Sequence, residues 1–358
     1  MQRTFTIALL GAAVAAVITV VVAAHGRFEP APKDMHIDAA RRAAVVESAV
    51  ALLDRSYVYP DKAALIERSL RQKLHDGDFD RIDSAVEFAD ALTDALRAVS
   101  DDQHLEVRYM DAAIPEPASD QDVSAEDAAA ESIRQQRFNF GFAELRRLHG
   151  NIGYLDLHQF GRPQGAYDRI AAAMTLLGDT SGLIIDLRNC GGGDPESVMR
   201  MASYLFDRRT HLNDIYWREE DRIEQRWTEE DVPGRKYGST RPLYLLTSHD
   251  TFSGGEDFAY ALKNAGRATL VGETTGGGAH PGNPRRVDDH FMMFVPSGRP
   301  ISPVTHADWE GVGVVPDVPA SADKALDIAR IAILRRLVAT ETDADWREKL
   351  QQSIEELE

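Results

Sequence analysis

A single cysteine, Cys190, stands among 358 residues. No intrachain disulfide can form and no cysteine-rich metal site can assemble, so the fold must be held by its apolar core. Positive charge is also scarce: 40 Lys and Arg face 58 Asp and Glu, a net charge of -18. Such a surface repels nucleic acid and anionic lipid, so neither is expected as a main partner. The run Gly191-Gly192-Gly193 lacks the G-x-G-x-x-G spacing of a dinucleotide site, and no Walker lysine follows it. None of the 11 histidines forms HExxH or another zinc spacing, so neither a metal nor a cofactor is expected. No internal repeat divides the chain.

What is present suffices for one large or two medium domains, with 43% hydrophobic residues to build a core. Arg3 precedes an uncharged apolar run from Thr4 to Ala24 that ends in small residues. This reads as a signal peptide (residues 1–24) or, if retained, an N-terminal membrane anchor, with residues 25–37 as a linker. Either way the rest is expected outside the cytoplasm, in a periplasmic or extracellular setting. Residues 38–100 repeat apolar positions at helical spacing, broken at Tyr59-Pro60 and Asp76-Gly77-Asp78, which predicts a three-helix bundle. Residues 114–136 are acidic and alanine-rich, and read as a mobile connector with one short helix. From 101 to 322, apolar strands alternate with helical segments, an α/β (α+β) domain in which helices cover a sheet. Residues 323–358 read as a C-terminal helical segment.

Two turns carry candidate chemistry. The strand SGLIIDLRN runs into Cys190 and three glycines, while PLYLLTSHDTFSGGEDFAYALK breaks from strand to helix at Ser253. A serine on such a turn is either an ordinary helix cap, with Glu256 completing a capping box, or a nucleophile whose neighbouring amides bind an oxyanion. A nucleophile needs a base, and the two candidates are His104, at a helix-to-strand junction, and His280, in TTGGGAHPG. By residue type alone each histidine is more often structural than catalytic.

Six ordered segments, ALRAVSDDQHLEV, NIGYLDL, LIIDLRNCGGG, LLTSHDTFSGGEDFAYALK, LVGETTGGGAHPG and WEGVGVVPDV, together resemble the tail-specific, or carboxyl-terminal processing, serine peptidases. The likeness is closest to the branch of the tricorn protease core and the interphotoreceptor retinoid-binding protein repeats, and it covers residues 40 to 320. It implies a crotonase/ClpP-like catalytic domain behind a helical bundle. It also implies Ser253 as nucleophile, His104 as base and Glu310 as the acidic residue of the relay. The oxyanion would be bound by the amide of Gly254 with that of Gly191 or Gly192, leaving His280 as alternative base or substrate contact. Where processing peptidases carry a G-K-G lysine this chain reads Gly276-Gly277-Gly278, so a Ser/Lys dyad is not expected. The interval from His104 to Asn151 is too short for an inserted PDZ module.

The expected activity is that of an exported serine peptidase acting on peptide or protein substrates. The alternatives are an esterase with the same groups, or a non-catalytic carrier of hydrophobic ligands on the same fold.

Overall fold

The computed structural model describes residues 32–116 and 125–358. Residues 4–24, read above as signal or anchor, lie outside them; among the described residues no helix is long and apolar enough to cross a membrane.

Helices α1 (Ala39–Ser56), α2 (Pro60–Asp76) and α3 (Ala85–Ser100) open the described chain. Their ends follow local chemistry. Asp38 and Ser84 accept N-terminal N–H groups of α1 and α3, Pro60 begins α2 where its missing N–H is not needed, and Gly77 closes α2 at φ 79. The apolar faces of these helices do not close on themselves alone. Val45, Leu53, Leu70, Phe88 and Leu92 share one buried core with Leu105, Val107, Phe291, Met293 and Val295. Those partners lie on or beside β1 (Glu106–Tyr109) and β10 (Phe291–Pro296), which pair antiparallel in a three-stranded sheet with β9 (Gly282–Arg286). The sequence boundary drawn at residue 101 therefore runs through continuous packing.

The central sheet has six strands in the order β12 (Val318–Pro319), β8 (Thr269–Gly272), β7 (Leu243–Thr247), β4 (Gly182–Asp186), β3 (Ile152–Leu157) and β2 (Phe142–Leu148). All neighbours are parallel except the β2–β3 pair. Strand β4 is buried at every position, because alternate residues feed two different cores. Leu183 and Ile185 pack with helices α5 (Pro163–Leu176), α6 (Pro195–Ser203) and α7 (Gly254–Asn264). Ile184 points the other way, toward Ala325, Ile333 and Leu350 of α8 (Ala322–Thr340) and α9 (Ala344–Glu355), the C-terminal helical segment.

Two stretches differ from the sequence reading. Residues 211–227, not assigned from sequence, form the hairpin β5 (His211–Trp217) and β6 (Arg222–Trp227), completed by β11 (Gly298–Ile301). Polar and charged residues interrupt that pattern, since this sheet is only half covered. In the acidic connector, α4 (Ala125–Arg137) occupies 13 residues, more than the short helix expected.

Candidate active site

Strands β4 and β7 are parallel neighbours, so the chain leaves both at the same edge of the sheet. The glycine turn after β4 and the serine turn after β7 thus lie side by side. Three contacts fix them. Thr251 Oγ1 donates to Leu187 O at 2.8 Å, Ser248 Oγ to Arg188 O at 2.5 Å, and Phe252 N–H to Cys190 O at 2.9 Å.

Ser253 stands immediately before α7 with φ 50 and ψ -118, a conformation that costs a non-glycine residue roughly 1–3 kcal/mol and persists only where its surroundings impose it. Its N–H donates to Glu256 Oε2 at 2.9 Å, in the capping-box relation, but its hydroxyl makes no cap hydrogen bond. The turn is therefore capped through the backbone while the hydroxyl is left for other chemistry. The fully buried Glu256 carboxylate does more than cap. It accepts Thr275 Oγ1 at 2.5 Å and the Gly277 and Gly278 N–H groups at 2.7 and 2.9 Å, tying the serine turn to the Gly276–Gly278 segment. Burial outweighs those four donors and pushes its pKa up to about 7.

The two glycine candidates for the second oxyanion donor separate clearly. Gly191 N–H is already given to His158 O at 3.1 Å, so the Gly191 alternative is withdrawn. Gly192, at φ 110, presses against the serine: a Cβ there would lie 2.8 Å from Ser253 Cβ and 3.0 Å from Gly254 N. Gly192 thus packs against both Ser253 and Gly254, and Gly254, the first residue of α7, has no intrahelical acceptor for its N–H.

His104 is held between two rings, with centroids 4.7 Å from Phe252 and 5.7 Å from Phe294. Phe252 directly precedes Ser253, so the predicted base packs on the neighbour of the predicted nucleophile. Gly278 closes the same pocket, since a Cβ on it would fall 2.8 Å from His104 Cε1 and closer still to the Phe252 ring. Gly277, the position that matches the processing-peptidase lysine, sits at φ 83, and a Cβ there would lie 3.2–3.3 Å from the backbone of residues 311–313. Burial lowers the His104 pKa to about 4, against the opposing pull of Asp102, so the imidazole is neutral at pH 7. Its Nδ1 is buried with no hydrogen-bond partner and lies 4.0 Å from Asp102 Oδ1.

His280 and Glu310 are one layer further in. His280 is 1% exposed; Nδ1 lies 2.8 Å from Asp102 Oδ2 and 3.4 Å from Glu310 Oε2, and Nε2 lies 3.4 Å from Tyr59 Oη. With both nitrogens engaged and no surface, His280 is neither alternative base nor substrate contact, correcting that expectation. Glu310 accepts Ala279 N–H at 2.5 Å and reaches His104 only through His280 and Asp102. Asp102, His280 and Glu310 offer three ligand-type atoms within 4.8 Å, the grouping among the described residues whose spacing a metal could bridge. Hydrogen bonds from Tyr57 Oη and Ala279 N–H already serve the two carboxylates. Asp102 and Tyr57 were missed as site residues in the sequence, although the D-x-H spacing put Asp102 next to the base.

Residues 151–320 match peptidase family S41, and residues 36–139 match the N-terminal domain of peptidase S41 in eukaryotic IRBP. A carboxyl-terminal-processing protease of Synechocystis sp. is 29% identical over 170 residues, 47% of this chain and 37% of its own length. Carboxyl-terminal-processing peptidase 2, chloroplastic, of Arabidopsis thaliana is 29% identical over 178 residues, 47% of this chain and 32% of its own. The match thus spans about a third of the length of these curated relatives. A lipoprotein structure from Streptococcus agalactiae shares the fold at TM-score 0.55 and 17% identity, covering 84% of this chain and 98% of that one. The chain is thus similar to peptidase family S41 over residues 151–320, with a match to that family's IRBP-type N-terminal domain ahead of it.

Proposed function

We propose that this chain is an exported serine peptidase that cleaves peptide or protein substrates, with Ser253 as nucleophile and His104 as general base. The observation that carries the reading is the strained Ser253 turn, its hydroxyl without a cap hydrogen bond, packed against Gly192, preceding Gly254, and one residue after Phe252, on whose ring His104 packs. Export rests on the apolar run of residues 4–24. The names of the two carboxyl-terminal-processing relatives support a protein substrate.

The chemistry follows from the groups present. Ser253 Oγ attacks the scissile carbonyl carbon while neutral His104 takes its proton. The carbonyl oxygen becomes an anion and accepts from the Gly254 and Gly192 N–H groups, at the positive end of α7. Collapse breaks the C–N bond, His104 returns the proton to the leaving amine, and water then releases the acyl group by the reverse of these steps. The imidazolium that forms between them is stabilised by the nearby Asp102 charge. Among the described groups, none of these steps calls for a cofactor.

The test is active-site labelling with a fluorophosphonate probe, followed by adduct mapping and turnover of peptide and ester substrates. Labelling should fall on Ser253 and vanish in Ser253→Ala, and His104→Ala should lose at least about a thousandfold in kcat. Full turnover by Ser253→Ala, or an adduct on another residue, refutes the reading; turnover of esters alone assigns the site to an esterase.

A further inference from the structure

We infer that Tyr57, Asp102 and His280 form a positioning relay behind His104, in which Asp102 is the carboxylate that faces the base and His280 joins it to Glu310. The inference rests on the Ser253–His104 reading above and assigns the parts behind it.

Three carboxylates surround this region, and geometry chooses between them. Glu310 and Asp308 face His280, with oxygens 3.4 Å from Nδ1 and 3.9 Å from Nε2. Asp102 alone has direct contact with His104: its Oδ1 accepts the His104 N–H at 3.0 Å and lies 4.0 Å from the orphaned Nδ1. An approach of about 1 Å gives that pair a hydrogen bond, a tightening commonly seen when an apo site takes up substrate. Asp102 cannot swing away to find another partner. Its second oxygen is held by Tyr57 Oη at 3.1 Å and by His280 Nδ1 at 2.8 Å, and the residue is 1% exposed.

The charges are consistent with this division. Burial opposes ionisation of Asp102 and of His280 alike. The hydrogen bond and attraction between them prevail, so the Asp102 pKa is lowered and the His280 pKa raised. Glu310 moves the other way: burial, then the Asp102 charge, pushes its pKa up to about 8, leaving it a neutral acid at pH 7. The groups facing His280 are thus Asp102, Glu310, Asp308 and Tyr59, and those facing Asp102 are His104, His280 and Tyr57. Contact with His280 thus favours ionisation of Asp102 in a dry site, and contact with Asp102 favours protonation of His280.

Tyr57 and Tyr59 come from the α1–α2 junction, which is fastened to the catalytic half by Val58 N–H on Pro296 O at 2.9 Å and by the Arg218 guanidinium on the Tyr57 carbonyl. The helical bundle therefore supplies two groups behind the base and does not merely precede the peptidase domain. Removing it removes the donor that fixes Asp102.

The test compares pH profiles of kcat and KM for the full chain, Tyr57→Phe and His280→Asn, with melting temperatures measured alongside. Tyr57→Phe should lower kcat about tenfold with KM unchanged and little loss of melting temperature. His280→Asn keeps a donor to Asp102 but removes the group that takes up positive charge beside it. Its kcat should fall about a hundredfold, and its acidic limb should move to higher pH, because His104 loses a repelling charge and Asp102 protonates sooner. A kcat within twofold of the parent for both variants, or equal losses with an unmoved acidic limb, overturns the relay. If His280→Asn does not fold, the kcat–KM split of Tyr57→Phe decides alone. Failure of the parent to label at Ser253 refutes the catalytic reading and the relay with it, whereas a labelled parent with unaffected variants refutes only the relay.

Discussion

Gly192→Ala is the sharpest test of how the nucleophile and the oxyanion amides are held together. The added Cβ meets Ser253 Cβ at 2.8 Å, Gly254 N at 3.0 Å and Phe252 O at 3.1 Å, whereas unstrained carbon contacts lie near 3.5–4.0 Å. Relief requires a backbone shift of roughly 0.7–1 Å between the two turns. Overpacking of this kind costs about 1–3 kcal/mol, and an L side chain at φ 110 adds about 1–3 kcal/mol of backbone strain. The stability loss should thus be about 2–6 kcal/mol. A displacement near 1 Å in an aligned site costs on the order of a hundredfold, and loss of one oxyanion donor a hundred- to a thousandfold. Gly266→Ala is the control, because Gly266 also has positive φ, 63, but nothing within 4 Å of its added Cβ. It should lose about 1 kcal/mol and keep its rate. The assay is urea unfolding together with the second-order rate of fluorophosphonate labelling. Parental labelling by a folded Gly192→Ala would refute the argument that these two turns form one oxyanion site. Equal stability losses in both variants would show that strain, not contact with the serine, governs Gly192.

Two further outcomes follow from buried groups. Because the folded Glu256 pKa is raised to about 7, its share of stability is fully present below the ordinary carboxylate pKa and is lost as pH rises through 7. Relative to Glu256→Gln, the parent should therefore gain unfolding free energy as pH falls from about 7 toward 4.5, measured by urea midpoints across that window; a difference independent of pH would contradict it. Cys190 is fully buried and its thiol is pushed up to about 12, so the native chain should resist iodoacetamide at pH 8 and keep its activity, alkylating only in denaturant. Rapid modification of the native protein would show that the glycine turn opens.

Much of the site was legible because its parts are local. The Ser253 turn, its capping glutamate and the glycine run after a buried strand are each a contiguous string whose backbone needs are written in residue type: glycine for positive φ, serine before a helix, β-branched and leucine residues for a doubly covered strand. It was the resemblance of the ordered motifs to a known family that paired Ser253 with His104 as candidates. The hairpin at 211–227 was not legible, since a half-covered sheet with charged outer positions leaves no clean alternation.

What the sequence could not express is distance between segments. Gly191 and Gly192 are equivalent in the string, and only the hydrogen bond from Gly191 to His158 removes one of them. His104 and His280 were both candidate bases until burial on all sides committed His280 to Asp102, Glu310 and Tyr59. Tyr57 and Asp102 are 45 residues apart and meet only because the helical bundle and the β1–β10 sheet bury a common core. The sequence by itself determined which residue types stand on which turns, because backbone conformation is a local property. The fold alone decided which carboxylate meets which imidazole, because hydrogen bonding and burial depend on segments that the chain keeps far apart.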